Sequence, residues 1–364
     1  MKNKAKEDRG VVLVIVVIAI AMLSTIVVDF IYSTHINYEV STNNIRDIQA
    51  GYIARSGVNV VKAAMRSDNL ENIARDVKSL QSERISTGND AGHWELSVSS
   101  FPVGDGFVSI TVLDERAKLN LNSLVNQSTN QVDFQVLTAL NELFRYLEID
   151  SDKSDLFISS LINWLDHEIV NTQNDQDPNG AAASYYSSLQ VPYIIKDGPL
   201  DSLDEVKLIH GMDEEFFEII RPYVTVYTKN KKINLSTAPK IVILAALKAA
   251  LVPAIENQGS SSPEDLNDDT AEQIADAFIE EREESGVITR VKAKSIIKDI
   301  DSGLNISSGL SGMVLNTGFS RTFFVRSTGL TGEVDATFRE VSTVLYKTGL
   351  AKNARLNVIA WKER

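Results

Sequence analysis

Apolar and polar positions change rhythm three times along this chain. From Val11 to Val28 the sequence reads VVLVIVVIAIAMLSTIVV, apolar on every side and without charge. About 18 residues of helix extend roughly 27 Å, enough to cross the hydrocarbon core of a bilayer. Charge returns at Asp29. Beyond it Tyr32, Ile36, Val40, Ile45, Ile48, Tyr52, Ile53, Val60, Val61 and Met65 recur at three- and four-residue spacing. The pattern predicts one helix from Val11 to about Arg66, roughly 80 Å long, slightly weakened at Gly51 and Gly57. Its first half is greasy all round and its second half has one apolar face.

The next rhythm is mixed. Leu70 to Ile85 reads as a short helix. Trp94–Ser99 and Phe107–Leu113 alternate apolar and polar residues, as half-buried strands do, and Gly104-Asp105-Gly106 between them reads as a hairpin turn. Helical periodicity then dominates, over Phe134–Leu147, Ser154–Asp166, Leu203–Ile209, Glu214–Tyr223, Lys240–Leu251, Thr270–Glu284 and Arg290–Ile300. Asn120-Leu121-Asn122-Ser123-Leu124 and Asn234-Leu235-Ser236-Thr237-Ala238 form a weak internal repeat. Each precedes a helical stretch and offers it candidate N-cap residues. Gln258 to Pro263 reads as an exposed loop. Alternation returns at Thr322–Thr328, Gly332–Val344 and Leu356–Trp361, the last two joined by a polar turn at Tyr346 to Lys352.

Composition narrows the function. The 364 residues include 36 basic and 49 acidic ones, a formal charge of −13, and no cysteine. Disulfides and thiol chemistry are therefore excluded. An acidic balance disfavours a nucleic-acid partner, whose phosphates are met by clustered Lys and Arg, and suits divalent cations. The four histidines, His35, His93, His167 and His210, are scattered. No G-x-S-x-G or H-E-x-x-H occurs. Carboxylates are too numerous to single out a glycosidase pair. An enzyme is not expected.

Ahead of the apolar run stands MKNKAKEDRG, with Lys2, Lys4, Lys6 and Arg9 against Glu7 and Asp8. The basic excess places this tip in the cytoplasm and sends the bulk of the chain across the membrane. Three readings of this start are open. A signal peptide would be cut behind its apolar core, but Ser24-Thr25-Ile26 makes a poor cleavage site. A plain signal anchor would not be cut. The third is a short charged leader cut between Gly10 and Val11, which frees the apolar helix at its front edge.

Asp175-Gln176-Asp177-Pro178-Asn179-Gly180 matches the first half of an EF-hand loop, in which alternate oxygen-bearing side chains converge on calcium. The twelfth position would be Tyr186 rather than Glu, so Asp166 or Glu168 would have to supply the missing carboxylate. A solvated acidic turn is the competing reading. Lys207-Leu208-Ile209-His210-Gly211-Met212 has the look of a helix-hairpin-helix turn. Asp213, Glu214 and Glu215 directly after it would repel phosphate, so a packing hairpin is expected rather than a DNA contact.

Asp114-Glu115-Arg116-Ala117-Lys118-Leu119-Asn120-Leu121-Asn122 after a strand resembles the signature of the general secretion pathway protein K family, the large minor pseudopilin of type II secretion. Further motifs fall in that family's order: Ile162 to Asp166, Tyr185-Tyr186, Pro199 to Glu205, Lys232 to Pro239, and Val358 to Glu363. Together with the leader they cover nearly the whole chain. The resemblance implies an α+β pilin-like fold, with a long N-terminal helix on an antiparallel sheet and a large, mostly helical domain inserted between strands. The corresponding division is a leader over 1–10, a spine over 11–66, the first part of the sheet over 67–121, a helical insertion of two helix-hairpin-helix-like halves over 122–316, and the last strands over 317–364.

The resemblance also implies a role. A prepilin peptidase would cut at Gly10, and Val11 would be N-methylated. Most pilins and pseudopilins carry Glu at the fifth mature position, paired with the terminal ammonium of the neighbour toward the tip. Here that position is Ile15. A tip subunit has no neighbour above it, and an unpaired carboxylate in a greasy helix is costly. The expected partners are the I- and J-type minor pseudopilins, the major pseudopilin, exported cargo and the secretin channel. The family carries calcium in the acidic loop, in a stretch that usually ends with acidic residues before the tyrosines. This chain has Ala181-Ala182-Ala183-Ser184 there. The ligand set implied is Asp166, Glu168, Asp175, Asp177 and Asn179. The alternatives are a minor pilin of a type IV pilus and a membrane-anchored periplasmic enzyme or DNA-uptake receptor.

Overall fold

The computed structural model describes residues 4–67, 85–87, 95–166, 180–181, 183–251, 266–304, 307–332, 336–349 and 355–364. One helix, α1 (Lys4–Ser67), accounts for the predicted spine and extends it back into the leader. The leader's Lys, Ala and Glu favour helix, so nothing stops the helix at Val11. Three strands follow: β1 (Ile85–Thr87), β2 (Glu95–Val103) and β3 (Gly106–Asp114). The hairpin turn between β2 and β3 is confirmed, with Gly104 left-handed at φ 59°. Ile85 lies in a strand rather than at a helix end. The rest of the helix expected from Leu70, together with Trp94, lies outside the described residues.

The insertion begins at Asp114. Its short strands are β4 (Leu119–Asn120), β5 (Val125–Asn126) and β6 (Gln131–Val132), followed by helices α2 (Phe134–Tyr146), α3 (Ser151–Leu165) and α4 (Ala183–Ser187). A 3-10 turn over Leu203–Leu208 leads to α5 (Glu214–Ile220) and β7 (Val224–Thr225), which pairs in parallel with β4. Then come α6 (Lys240–Ala249), α7 (Asp268–Ser285), α8 (Arg290–Ile300) and α9 (Ser307–Met313). The helix ends differ from expectation by a few residues. α4 and α9 were not anticipated, being a single turn and a Gly/Ser-rich segment of low intrinsic propensity. The loop expected at Gln258–Pro263 is outside the described residues.

The chain returns to β with β8 (Thr322–Thr331), β9 (Thr337–Thr348) and β10 (Arg355–Glu363). β9 runs past Val344 to Thr348, so the expected turn at Tyr346 starts later. The six strands form one antiparallel sheet in the order β1-β2-β3-β8-β9-β10. Strands β3 and β8 are neighbours, from Gly106 opposite Thr331 to Asp114 opposite Phe323. The insertion therefore leaves and re-enters at one end of the sheet.

Two cores result. Ala54, Val58, Val61 and Met65 of α1 pack on Leu96, Val108, Ile110, Val112, Phe323, Val325, Val341 and Leu345, which are the alternate, helix-facing residues of the strands. The helix lies very close at two glycines. A Cβ on Gly329 would fall 2.1 Å from the Ala50 carbonyl oxygen, and one on Gly57 would fall 2.2 Å from Ser327 Oγ. The second core fills the insertion around Phe144, Phe157 and Phe216, whose ring centroids are 5.3–6.1 Å apart.

Candidate assembly surface and domain junction

The front of α1 is not covered by any other described residue. Val11 to Val28 is exposed throughout, and Ile15 is 59% accessible. Such a surface must be taken up by lipid or by other helices, because bare apolar helix in water is unfavourable by about 25 cal/mol per Å². This is one helix long and apolar enough to cross a membrane.

Where the spine passes the sheet, polar clasps secure it. Arg55 makes a bidentate pair with Glu363 of β10, Nε to Oε1 at 3.0 Å and Nη2 to Oε2 at 2.7 Å. That pairing, helped by the Trp361 indole N–H at 2.9 Å, holds the Glu363 carboxyl down at about 2. Lys62 lies 5.1 Å from the Trp361 ring centroid. One turn below the buried stripe, Arg339 of β9 pairs with Asp47 at 2.6 Å, and Thr331 donates to the Arg46 carbonyl at 3.0 Å. No local signal in the sequence marks these pairs, whose members are hundreds of residues apart.

The Asp114–Asn122 motif is the junction between sheet and insertion. Asp114 is buried and caps the following 3-10 turn by accepting from Arg116 N–H at 2.8 Å. Its other oxygen accepts from Asn234 Nδ2 at 3.0 Å and Thr237 Oγ1 at 2.6 Å. Burial pushes the Asp114 carboxyl up, against the pull of these donors. Glu115 is also buried, bonded to Lys118 Nζ at 2.8 Å and to the Thr225 hydroxyl. Asn122 ties the carbonyls of Leu200 and Val226, both at 2.9 Å.

The internal repeat is thus real in geometry but not in the role expected of it. Asn120 and Asn234 each close an Asx turn two residues on, at 3.1 and 3.2 Å, rather than capping the helices downstream. α2 is capped by Asp133, and α6 starts after Pro239 with no side-chain cap. The residues between each Asn and its helix are used up in strand pairing and turns, so the distance is too great for a cap.

The helix-hairpin-helix-like turn faces inward. Gly211 has φ 91°, and a Cβ there would sit 2.8 Å from Phe157 N. Asp213 caps α5 through Phe216 N–H at 2.8 Å and pairs with Lys153. His210 stacks on Tyr185 with ring centroids 4.0 Å apart, and His35 pairs with Glu39 on α1 at 3.6 Å. His93 and His167 are outside the described residues.

Of the five expected calcium ligands, Asp166 alone is described. It is buried at the end of α3 and accepts from the Asn130 amide. Glu168, Asp175, Asp177 and Asn179 fall outside the described residues, and no cluster of three metal-ligating side chains occurs among the described ones. Gly180 is not left-handed, so a sharp turn does not explain it. A Cβ there would lie 2.2 Å from the Ser159 carbonyl oxygen, which makes close packing on α3 the reason for glycine. Tyr186 beside it is fully buried against Trp164, at 5.5 Å between centroids, and burial pushes its hydroxyl up to about 12.

A bare apolar spine, an antiparallel sheet laid along its second half and a helical domain inserted between two central strands define a pilin-like protein with an inserted domain. The family model described as "Type II secretion system (T2SS), protein K" matches residues 117–229. A Type II secretion system protein K from Klebsiella pneumoniae is 24% identical over 253 residues, 68% of this chain and 71% of the relative. One from Pectobacterium carotovorum subsp. carotovorum is 22% identical over 222 residues, covering 60% and 62%. The fold is similar to a chain in the crystal structure of the GspK-GspI-GspJ complex from enterotoxigenic Escherichia coli. The TM-score is 0.53 and the identity 18%, over 85% of this chain and 96% of that one. Over residues 117–229 in sequence, and over most of its length in fold, the chain is similar to type II secretion system protein K.

Proposed function

We propose that this chain is the tip subunit of a periplasmic pseudopilus. It is cut between Gly10 and Val11, carries an N-methyl group on Val11, and starts assembly together with I- and J-type minor pseudopilins. Its terminal ammonium serves the carboxylate of the major pseudopilin below. The observation that carries this reading is Ile15: the exposed apolar front of α1 has no acid at the fifth mature position and asks for no partner above. A tip subunit is where that arrangement costs nothing. The inserted helical domain also occupies the sheet end at Asp114 and would obstruct a further subunit.

On this reading the insertion faces exported cargo and the secretin, and the protein performs no catalysis. The acidic loop would hold calcium through Asp175, Asp177 and Asn179 with Asp166 or Glu168, all oxygen donors suited to a hard cation. Calcium would supply only cross-linking of loop to helix.

N-terminal sequencing of the protein from cells with and without the prepilin peptidase tests the processing step. A mature chain starting at Val11 only when the peptidase is present is expected. A chain that keeps its first ten residues while other precursors are processed would overturn the proposal.

A further inference from the structure

The sheet is protected on one side by the very short β1 and is open on the other at β10. Arg364 and Glu340 exchange both main-chain hydrogen bonds, at 3.0 and 3.1 Å. In an antiparallel ladder bonded and unbonded pairs alternate. The N–H and C=O groups of Trp361 and Glu363 therefore point away from β9, and no described residue meets them. This end of the strand has no proline, no described helix covers its outer side, and its bulge lies farther back, between Val358 and Ala360; the charges that would guard it, Lys362 and Glu363, are engaged by Asp204 and Arg55. Val358, Ile359 and Trp361 are all more than 40% exposed.

The surroundings specify what would pair there. On the helix-facing side a new strand would lie beside Trp361. On the opposite side its side chains would enter a groove of about 890 Å³ between the sheet and the insertion, lined by Phe324, Val344, Ala360, Phe217, Pro222 and Tyr227 among others. The groove's charges are largely paired internally, as in Lys362 with Asp204 and Arg221 with Glu218. Arg355 and Arg364, at the two ends of the edge, form no salt bridge with a described residue. Arg355 has no counter-charge among the described residues, and Arg364 shares the Asp204 carboxylate with Lys362, so the excess charge along this edge is positive.

We propose that β10 is a docking edge for an extended, acidic segment of another polypeptide, which adds as a seventh strand with apolar residues toward Trp361 and carboxylates toward Arg355 and Arg364. Resting on the tip reading, that segment belongs to an exported client. Main-chain bonds supply affinity with little demand on sequence, as a subunit meeting different clients requires.

The test uses the full chain in detergent micelles and a fluorescent nonapeptide alternating Val and Glu. Three comparisons separate edge pairing from simple stickiness: the Val/Lys counterpart, the Val/Glu peptide N-methylated on alternate amides, and the variants Trp361→Ala and Trp361→Pro. Proline at 361 removes an outward N–H and leaves the β9 ladder intact, while alanine removes only the indole. Wild type and Trp361→Ala should bind the acidic peptide within about threefold of each other, and Trp361→Pro at least tenfold more weakly. The methylated and basic peptides should not bind. Equal binding of methylated and unmethylated peptides, equal binding of the basic peptide, or no binding by wild type overturns the inference. So does a dimer abolished by Trp361→Pro in sedimentation, which would assign the edge to a second copy. None of these results bears on processing at Gly10, so the two proposals fail separately.

Discussion

Arg55 on the spine helix and Glu363 near the end of the last strand form a two-bond ion pair across 308 residues of chain. The pair ties α1 directly to β10, the edge strand of the sheet. It makes the docking of the helix depend on the final strand.

A pH dependence follows. Glu363 is held at about 2, below its ordinary 4.5. A lowered carboxyl contributes stability above its unfolded value, and that contribution is lost as pH falls through the folded value. The melting temperature of wild type should exceed that of Glu363→Gln at pH 7, and the gap should close between pH 4.5 and 2. Thermal unfolding at a series of pH values measures it, and a constant gap would contradict the assignment.

Close approach of helix and sheet makes two substitutions differ in sign. Gly329→Ala drives a methyl into the Ala50 carbonyl and the Ala54 amide, and overpacking of this kind costs about 1–3 kcal/mol. Ser327→Ala removes a buried hydroxyl that has no hydrogen-bond partner among the described residues. Its effect should be neutral to stabilising by about 1 kcal/mol. Urea unfolding of both variants gives the comparison.

At the junction, Asp114→Asn replaces an acceptor-only carboxylate with a group that must point an amide N–H₂ toward one set of donors. At least one buried bond to Arg116, Asn234 or Thr237 is lost, at a cost of about 1–3 kcal/mol. Loss of cooperativity between sheet and insertion in urea, followed by Trp fluorescence, would accompany it.

Ile15→Glu adds a carboxylate with no partner above it. Tip assembly should fall several-fold, measured as export of a secreted reporter. Export equal to or better than wild type would remove the pairing argument.

If the acidic loop holds calcium as proposed, calcium at about 100 times its dissociation constant should add about 2.7 kcal/mol to the stability of the folded chain. The melting temperature should rise in calcium relative to a chelator, and Asp175→Ala with Asp177→Ala should abolish the rise. An equal melting temperature in both conditions would remove the metal from the account.

The long spine was legible because its signal is local: an unbroken apolar run, then a stripe at helical spacing that survives two glycines. The strands were legible because alternation reports one buried face, and Phe323, Val325 and Val341 are indeed on it. The roles of Asn120 and Asn234 were not legible. Their type fits a cap and an Asx turn equally, and only the position of the next helix decides between them. Gly180 is ambiguous in a similar way, since glycine answers to both backbone twist and close packing. The candidate acidic loop was legible as composition alone.

What the sequence determined by itself was the order and kind of the elements, and the greasy front of α1 with Ile15 in it, because each depends on neighbours within a few residues. What the tertiary structure decided was that β3 and β8 are adjacent, that Asp114 is buried among donors from residues 234 and 237, and that the sheet is left open at β10. Those facts depend on which distant segments are brought together. A hydrogen-bond partner a hundred or more residues away leaves no trace in local periodicity.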